Sequence, residues 1–335
     1  MSASHLVLAA AAGTHTPFAS IHYWQAIILG LIQGVTELFP VSSIGHTVVL
    51  PALFGWHNVA NAQSRPESFW LAFLVGLHVG TALALLAFYR RDWQQIVGGL
   101  YHSARRRKIT TPVERLGWLL VLATIPAGIT GAALEHELRV LFAKPLAASC
   151  FLIVNGFILL GGEVFRRRSE VQERRRTRIE ARRARVAAVN ALRDPQAPPP
   201  PATHVGQQRH LASLELREGF LIGVAQVFAL IAGISRSGIT IVAGLVRGLD
   251  HEDAARFSFL LATPVILAAG VYKLPDLLGP LGNGVRGQTV VAALFAGVAA
   301  WFSVRFLSRW FTTRTLMPFA VYCLIAGSLL VARFA

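Results

Sequence analysis

Charge is scarce in this chain, and acidic charge scarcest. Only 17 Asp and Glu stand against 32 Lys and Arg, and charged residues make up 15% of the 335, while 54% are hydrophobic. That excludes an ordinary soluble domain. Cysteine is nearly absent: Cys150 and Cys323 lie far apart inside apolar stretches, which excludes a disulfide framework or a cysteine metal site. No basic residue precedes the short apolar run Leu6–Ala12, so a cleaved signal peptide is not expected and insertion should rely on the first true span. The alternating pattern of a barrel strand is missing too, which leaves helices as the spanning elements.

What is present is a succession of apolar stretches near the length that crosses hydrocarbon, at about 22–38, 68–89, 116–133, 145–164, 219–232, 257–272, 289–307 and 316–332. The chain therefore reads as an all-α polytopic membrane bundle. The formal net charge of +15 does not point to nucleic acid. Between Arg166 and Arg217 thirteen arginines face five acids with no interleaved aromatics to stack bases, as expected of a cytoplasmic loop near anionic headgroups. With Arg90-Arg91 and the run Arg105–Lys108 on the same side, Glu135–Lys144 becomes a short outer turn. Gly55–Ser68, Arg247–Arg256 and Lys273–Gln288 read as loops. The organisation is an extension at 1–20, a membrane half at 21–164, a basic insert at 165–217 and a second half at 218–335. Ser169–Leu192 has good helix propensity and should prolong the preceding helix; Pro195 and Pro198–Pro201 end it in an extended linker.

Two polar stretches interrupt the apolar pattern. The first runs from Gln33 through Glu37, Pro40, Ser42, Ser43 and Gly45 to His46; the second runs from Gly223 through Gln226, Gly233, Ser235, Arg236, Ser237 and Gly238 to Thr240. Aligning Gln33 with Gln226 superposes Gly30 on Gly223, Ser42 on Ser235, Gly45 on Gly238 and Thr47 on Thr240, and Phe69–Phe73 falls near Phe257–Leu261. The chain reads as internally duplicated. The charge bias makes the repeat inverted, and inverted repeats bring two interrupted helices together near the bilayer midplane.

Ionisable groups at that depth are costly and usually functional. Gln33 and Glu37 are four apart and share a helix face. Pro40 ends that helix, and Ser42 or Ser43 can cap a new one whose free N–H groups attract anions. His46, one turn beyond Ser43, should converge with the carboxylate and the hydroxyl. In the second stretch Gly233 permits a tight reversal, Ser235 can cap, Arg236 offers a planar donor pair, and Ser237 and Thr240 add hydroxyls. An anion pocket with an acidic corner suits phosphoryl chemistry. The histidines at 57, 78, 102, 136 and 251 read as structural or surface residues, and Glu163 and Arg256 as span-end charges that reach the interface.

The two stretches resemble the signatures of the undecaprenyl-diphosphate phosphatase family, the bacitracin-resistance membrane phosphatases: Gln33, Glu37, Pro40 to Ser43 and Gly45-His46 in the first, and Ala232 to Thr240 in the second, with Ala232 where the family has proline. The basic insert is also atypical of that family. The resemblance implies hydrolysis of undecaprenyl diphosphate to the monophosphate in the bacterial inner membrane, at a site opening to the periplasm and associated with Mg2+ or Ca2+. By the same resemblance Glu37, with Gln33 nearby, holds the metal or orients the nucleophile, Arg236 clamps the diphosphate, and Ser43 or His46 is nucleophile or base. Gln33, Ser42, Ser235, Ser237 and Thr240 contact substrate. The expected partners are the lipid diphosphate and membrane lipids, with homo-oligomers allowed. The competing reading is a polyprenyl-phosphate transporter or flippase, which would use the same clamp without a nucleophile.

Overall fold

The computed structural model describes residues 21–64, 69–134, 144–193 and 210–335. In chain order its helices are α1 (Tyr23–Thr36), α2 (Ser43–Leu53), α3 (His57–Ser64), α4 (Trp70–Phe88), α5 (Arg90–Arg106), α6 (Pro112–Ala133), α7 (Pro145–Arg193), α8 (Leu216–Ala225), α9 (Arg236–Val246), α10 (His251–Leu278), α11 (Arg286–Trp310) and α12 (Met317–Phe334). The extension at 1–20, the outer turn over 135–143 and the prolines at 195 and 198–201 lie outside the described residues.

Six of these helices, α4, α6, α7, α10, α11 and α12, are long and apolar enough to cross a membrane. The protein is a polytopic helical bundle. Its shell is apolar where lipid would lie: Leu83, Leu294, Val298, Phe302, Ile325 and Leu329 are all exposed. The helices α2 and α9 are 11 residues each, and a helix needs about 20 to cross the hydrocarbon. Each follows an interrupted stretch, so both start inside the bundle.

Several expected loops are helical. Arg90–Arg106 forms α5, which buries Ile96 and Ser103. It packs on α6, where Trp118 Nε1 donates to Ser103 Oγ at 2.9 Å and Arg106 pairs with Glu114. Much of Gly55–Ser68 is α3. The charged stretch after Arg247 is shorter than expected because Asp250 caps α10 through Asp253 N, and that helix continues to Leu278, well into the predicted Gly/Pro-rich loop. Glu163 does not reach the interface. It is 1% exposed and accepts from His251 Nε2 at 2.9 Å and Arg167 Nε at 3.2 Å, which ties α7 to the start of α10. Arg256 pairs with Asp92 between α10 and α5. The extension of α7 to Arg193 matches the helix expected over Ser169–Leu192.

Small residues set the tightest crossings, as expected where lipid supplies no hydrophobic drive between helices. α11 packs against both α1 and α4. A Cβ on Gly34 would strike the carbonyl of Ala296, and one on Gly80 that of Ala293. Replacing Gly80 with Val should therefore lower stability by about 1–3 kcal/mol. Gly98→Ala, in α5 where an added Cβ meets nothing within 4 Å, should raise it by about 0.5–1 kcal/mol. Thermal unfolding of the detergent-purified variants reads both.

Candidate active site

The first interruption begins where α1 ends at Thr36. Residues 37–42 form a turn, and α2 starts at Ser43 with Ser42 as its cap. Ser42 has φ 69°, a left-handed value that a side chain tolerates poorly. Two bonds hold it there: its Oγ accepts from Gly45 N at 3.3 Å and from Gly233 N at 3.2 Å. The second of these comes from the other interrupted stretch. Gly233, at φ 101°, supplies the reversal in that stretch, and an added Cβ there would strike Ala148. The loops cross so closely that a Cβ on Gly45 would lie 3.2 Å from Gly233 Cα. Ser235 then caps α9 by accepting from Gly238 N at 3.1 Å.

The crossing places Arg236 over Glu37. Nη2 and Nε of Arg236 donate to Oε1 of Glu37 at 2.8 and 3.3 Å. Oε2 of the same carboxylate accepts from Ser43 Oγ at 2.5 Å and from Gln33 Nε2 at 3.0 Å. A fourth donor is His78 of α4, whose Nε2 lies 3.1 Å from Oε2. His78 Nδ1 is 2.7 Å from the carbonyl of Leu74. Both ring nitrogens thus face atoms that only accept, a geometry that the imidazolium satisfies. Arg236 Nη1 is buried and has no hydrogen-bond partner among the described residues. The arrangement is a carboxylate flanked by two cations, with one guanidinium donor left over.

These groups line one end of a cavity of about 490 Å³, within the usual range of ligand pockets. Glu37, Ser42, Ser43, Ser235, Arg236 and His78 share its polar end. The remaining wall is mostly apolar, from α4, α6, α10 and the segment before α9, with Tyr272 and Lys273 along it.

The structure gathers Gln33, Glu37, Ser43 and Arg236 into one network. It does not bring His46 to that network. His46 Nδ1 bonds the carbonyl of Ser42 at 2.6 Å and Nε2 meets Tyr322 Oη at 2.7 Å. The ring faces α12, so the expected convergence of carboxylate, hydroxyl and His46 does not occur, and His78 supplies the imidazole instead. Ser237 and Thr240 sit behind the cavity wall. Ser237 Oγ donates to Phe39 O at 3.3 Å, and Thr240 Oγ1 donates to Arg236 O at 2.8 Å and meets Ser258 Oγ at 2.5 Å. Of the expectation that His78 is structural or surface, the surface part is overturned: its side chain is 17% exposed and it lines the cavity beside Glu37. It is the lone ionisable residue of α4, and an ionisable group inside a span is itself a signal of function. Asn155 of α7, a single amide in an apolar stretch, carries no signal in the sequence. Its Nδ2 donates to Pro40 O at 2.9 Å and its Oδ1 accepts from Ser235 N at 3.0 Å, so one buried amide holds both loops.

The family described as "Bacitracin resistance protein BacA" matches residues 26–329. The chain belongs to this family. It is 53% identical to "Undecaprenyl-diphosphatase 2" of Frankia alni, over 93% of this chain and 98% of the relative. It is 52% identical to "Undecaprenyl-diphosphatase" of Mycolicibacterium paratuberculosis, over 92% and 96%. A more distant relative, "Undecaprenyl-diphosphatase" of Granulibacter bethesdensis, is 43% identical over 92% and 95%.

The Mg2+ or Ca2+ expected at Glu37 can be tested against this geometry. Hard cations need free oxygen ligands. Both oxygens of Glu37 already accept from Gln33, Ser43, His78 and Arg236, and among the described residues no other carboxylate lines the cavity. As arranged, the described residues do not fit a metal held by the protein.

Asn155 gives a direct check on how the loops are held. Asn155→Leu would leave Ser235 N buried without a partner, at about 1–3 kcal/mol, and Pro40 O with only the weak Cys323 thiol donor at 3.9 Å. The expected result is a clearly lowered thermal midpoint, beside an unchanged one for Phe157→Leu on the exposed face of the same helix.

Proposed function

We propose that this chain hydrolyses undecaprenyl diphosphate to undecaprenyl phosphate and inorganic phosphate, as the names of its relatives state for them. The activity recycles the lipid carrier of cell-wall synthesis, and the family description connects it with bacitracin resistance. One observation carries the reading: a hydroxyl bonded to a carboxylate base at 2.5 Å, beside an unpartnered guanidinium N–H, at the polar end of an apolar cavity. Apolar walls suit a prenyl chain, and the polar end suits its diphosphate.

In this reading Ser43 is the nucleophile and Glu37 the base. The Ser43 proton passes to Glu37 Oε2 as Oγ bonds the terminal phosphorus. The bridging P–O bond breaks, and the lipid monophosphate leaves with the electron pair. Glu37 gives the Ser43 proton up to the departing lipid monophosphate. Water then attacks the phosphoserine, giving a proton to Glu37, which passes it to the serine oxygen as that bond breaks, releasing phosphate and restoring the site. Arg236 Nη1 and the N–H groups opening α2 and α9 take the equatorial oxygens, where charge spreads in the transition state. His46 braces the strained Ser42 through its carbonyl.

The location supports a periplasmic opening in the inner membrane. The cavity is lined by the start of α4 (Leu71, Leu74), the end of α6 (Gly128, Gly131, Ala132) and the later part of α10 (Val265 to Lys273). The opposite ends of these helices adjoin Arg90-Arg91, Arg105–Lys108 and Arg247, which the positive-inside bias puts in the cytoplasm. A transporter would need the Arg236 clamp but leaves the Ser43–Glu37 pair without a purpose.

Phosphate release from undecaprenyl diphosphate by the purified protein tests the assignment. Glu37→Ala, Ser43→Ala and Arg236→Ala should each lower the rate by at least about 100-fold. Full activity in Ser43→Ala would remove it as nucleophile, and no release by a folded wild type would overturn the phosphatase.

A further inference from the structure

We propose that His78 is a positioning residue of the hydrolysis: through Glu37 it keeps the base aligned on Ser43, chiefly once Arg236 engages the phosphate. The substrate in this inference rests on the phosphatase reading; the geometry does not.

Glu37 is reached from two sides. Arg236 occupies Oε1, while Gln33, Ser43 and His78 occupy Oε2. The work divides unequally among them. Arg236 is also the clamp, and a diphosphate draws its guanidinium toward the cavity, weakening the hold on Oε1. Gln33 sits one turn back on α1 and moves with the carboxylate it supports. His78 is different because it stands on α4, a separate spanning helix. Its Nδ1 is anchored to Leu74 O at 2.7 Å, which fixes the ring plane. The helix beneath it is fixed as well: Leu74 and Leu77 are buried, and Gly80 meets α11 without room for a side chain. His78 Nε2 therefore delivers a hydrogen bond from a rigid support to the same oxygen that must receive the Ser43 proton. A carboxylate at this depth that lost Arg236 and had no second cation would turn toward whatever donor it could reach, and away from Ser43.

The role separates from that of a wall residue by what replaces it. His78→Gln keeps an N–H directed at Glu37 with a similar reach; His78→Leu keeps volume and loses the donor. Rates and KM for undecaprenyl diphosphate should show kcat down about 100-fold in His78→Leu with KM within about 3-fold, and about 10-fold of that loss recovered in His78→Gln. Equal kcat in His78→Leu and wild type would overturn the proposal, as would a loss expressed only in KM or equal losses in the two variants. A second readout does not need turnover of the lipid: labelling of Ser43 by a fluorophosphonate, followed by mass spectrometry. The expected order is wild type, then His78→Gln, then His78→Leu. If that order holds while no variant or wild type cleaves the lipid, the positioning role stands and the substrate assignment falls. If the lipid is cleaved and labelling is the same in all three, the reverse applies.

Discussion

The structure depends on one buried carboxylate. Glu37 is 6% exposed within a membrane bundle, where an uncompensated charge costs several kcal/mol. Its compensation comes from distant parts of the chain: Gln33 from the same helix, Ser43 across the first loop, His78 from α4 and Arg236 from the second loop. Forming the site and satisfying this charge are therefore the same event. The two interrupted stretches must cross closely, and the glycines at 45 and 233 are what let them.

The same economy explains why the site is primed for an anion. With Arg236 and His78 both cationic, the network holds more positive than negative charge, and Arg236 Nη1 remains unused. The helices α2 and α9 add unpaired N–H groups at their starts. Asn155, buried in α7, keeps both starts in register by binding Pro40 O and Ser235 N at once. In the proposed reading, a cavity walled mainly by apolar side chains would carry the prenyl part of the ligand and exclude water from the polar end, where such interactions are strongest.

Much of this was legible in the sequence because it follows from local chemistry. Six of the eight apolar runs are spans, while those at 22–38 and 219–232 hold the short helices α1 and α8; proline and serine gave the break and the cap at Pro40 and Ser42, and Gly233 gave the reversal. The spacing of Gln33 and Glu37 gave their shared face. What could not be read was which helix would lie beside the loops. His78 and Asn155 are single polar residues in apolar helices, and their meaning comes only from packing of α4 and α7 against the crossing. His46 was misplaced for a related reason: the spacing to Ser43 was right, but the ring folds back on Ser42 O and finds Tyr322 on α12, 276 residues away. Glu163 was read as interfacial because its partner His251 is likewise remote in sequence.

In the proposed hydrolysis Ser43 attacks phosphorus and Glu37 takes its proton. The stereochemical course at the transferred phosphorus tests this most directly, and does so whether or not an intermediate accumulates. With undecaprenyl diphosphate carrying a terminal thiophosphoryl group made chiral with 16O and 18O and hydrolysed in 17O-water, two successive in-line displacements, first by Ser43 and then by water, predict thiophosphate released with retention of configuration. Inversion would mean a single displacement by water, and would contradict the assignment of Ser43 as nucleophile.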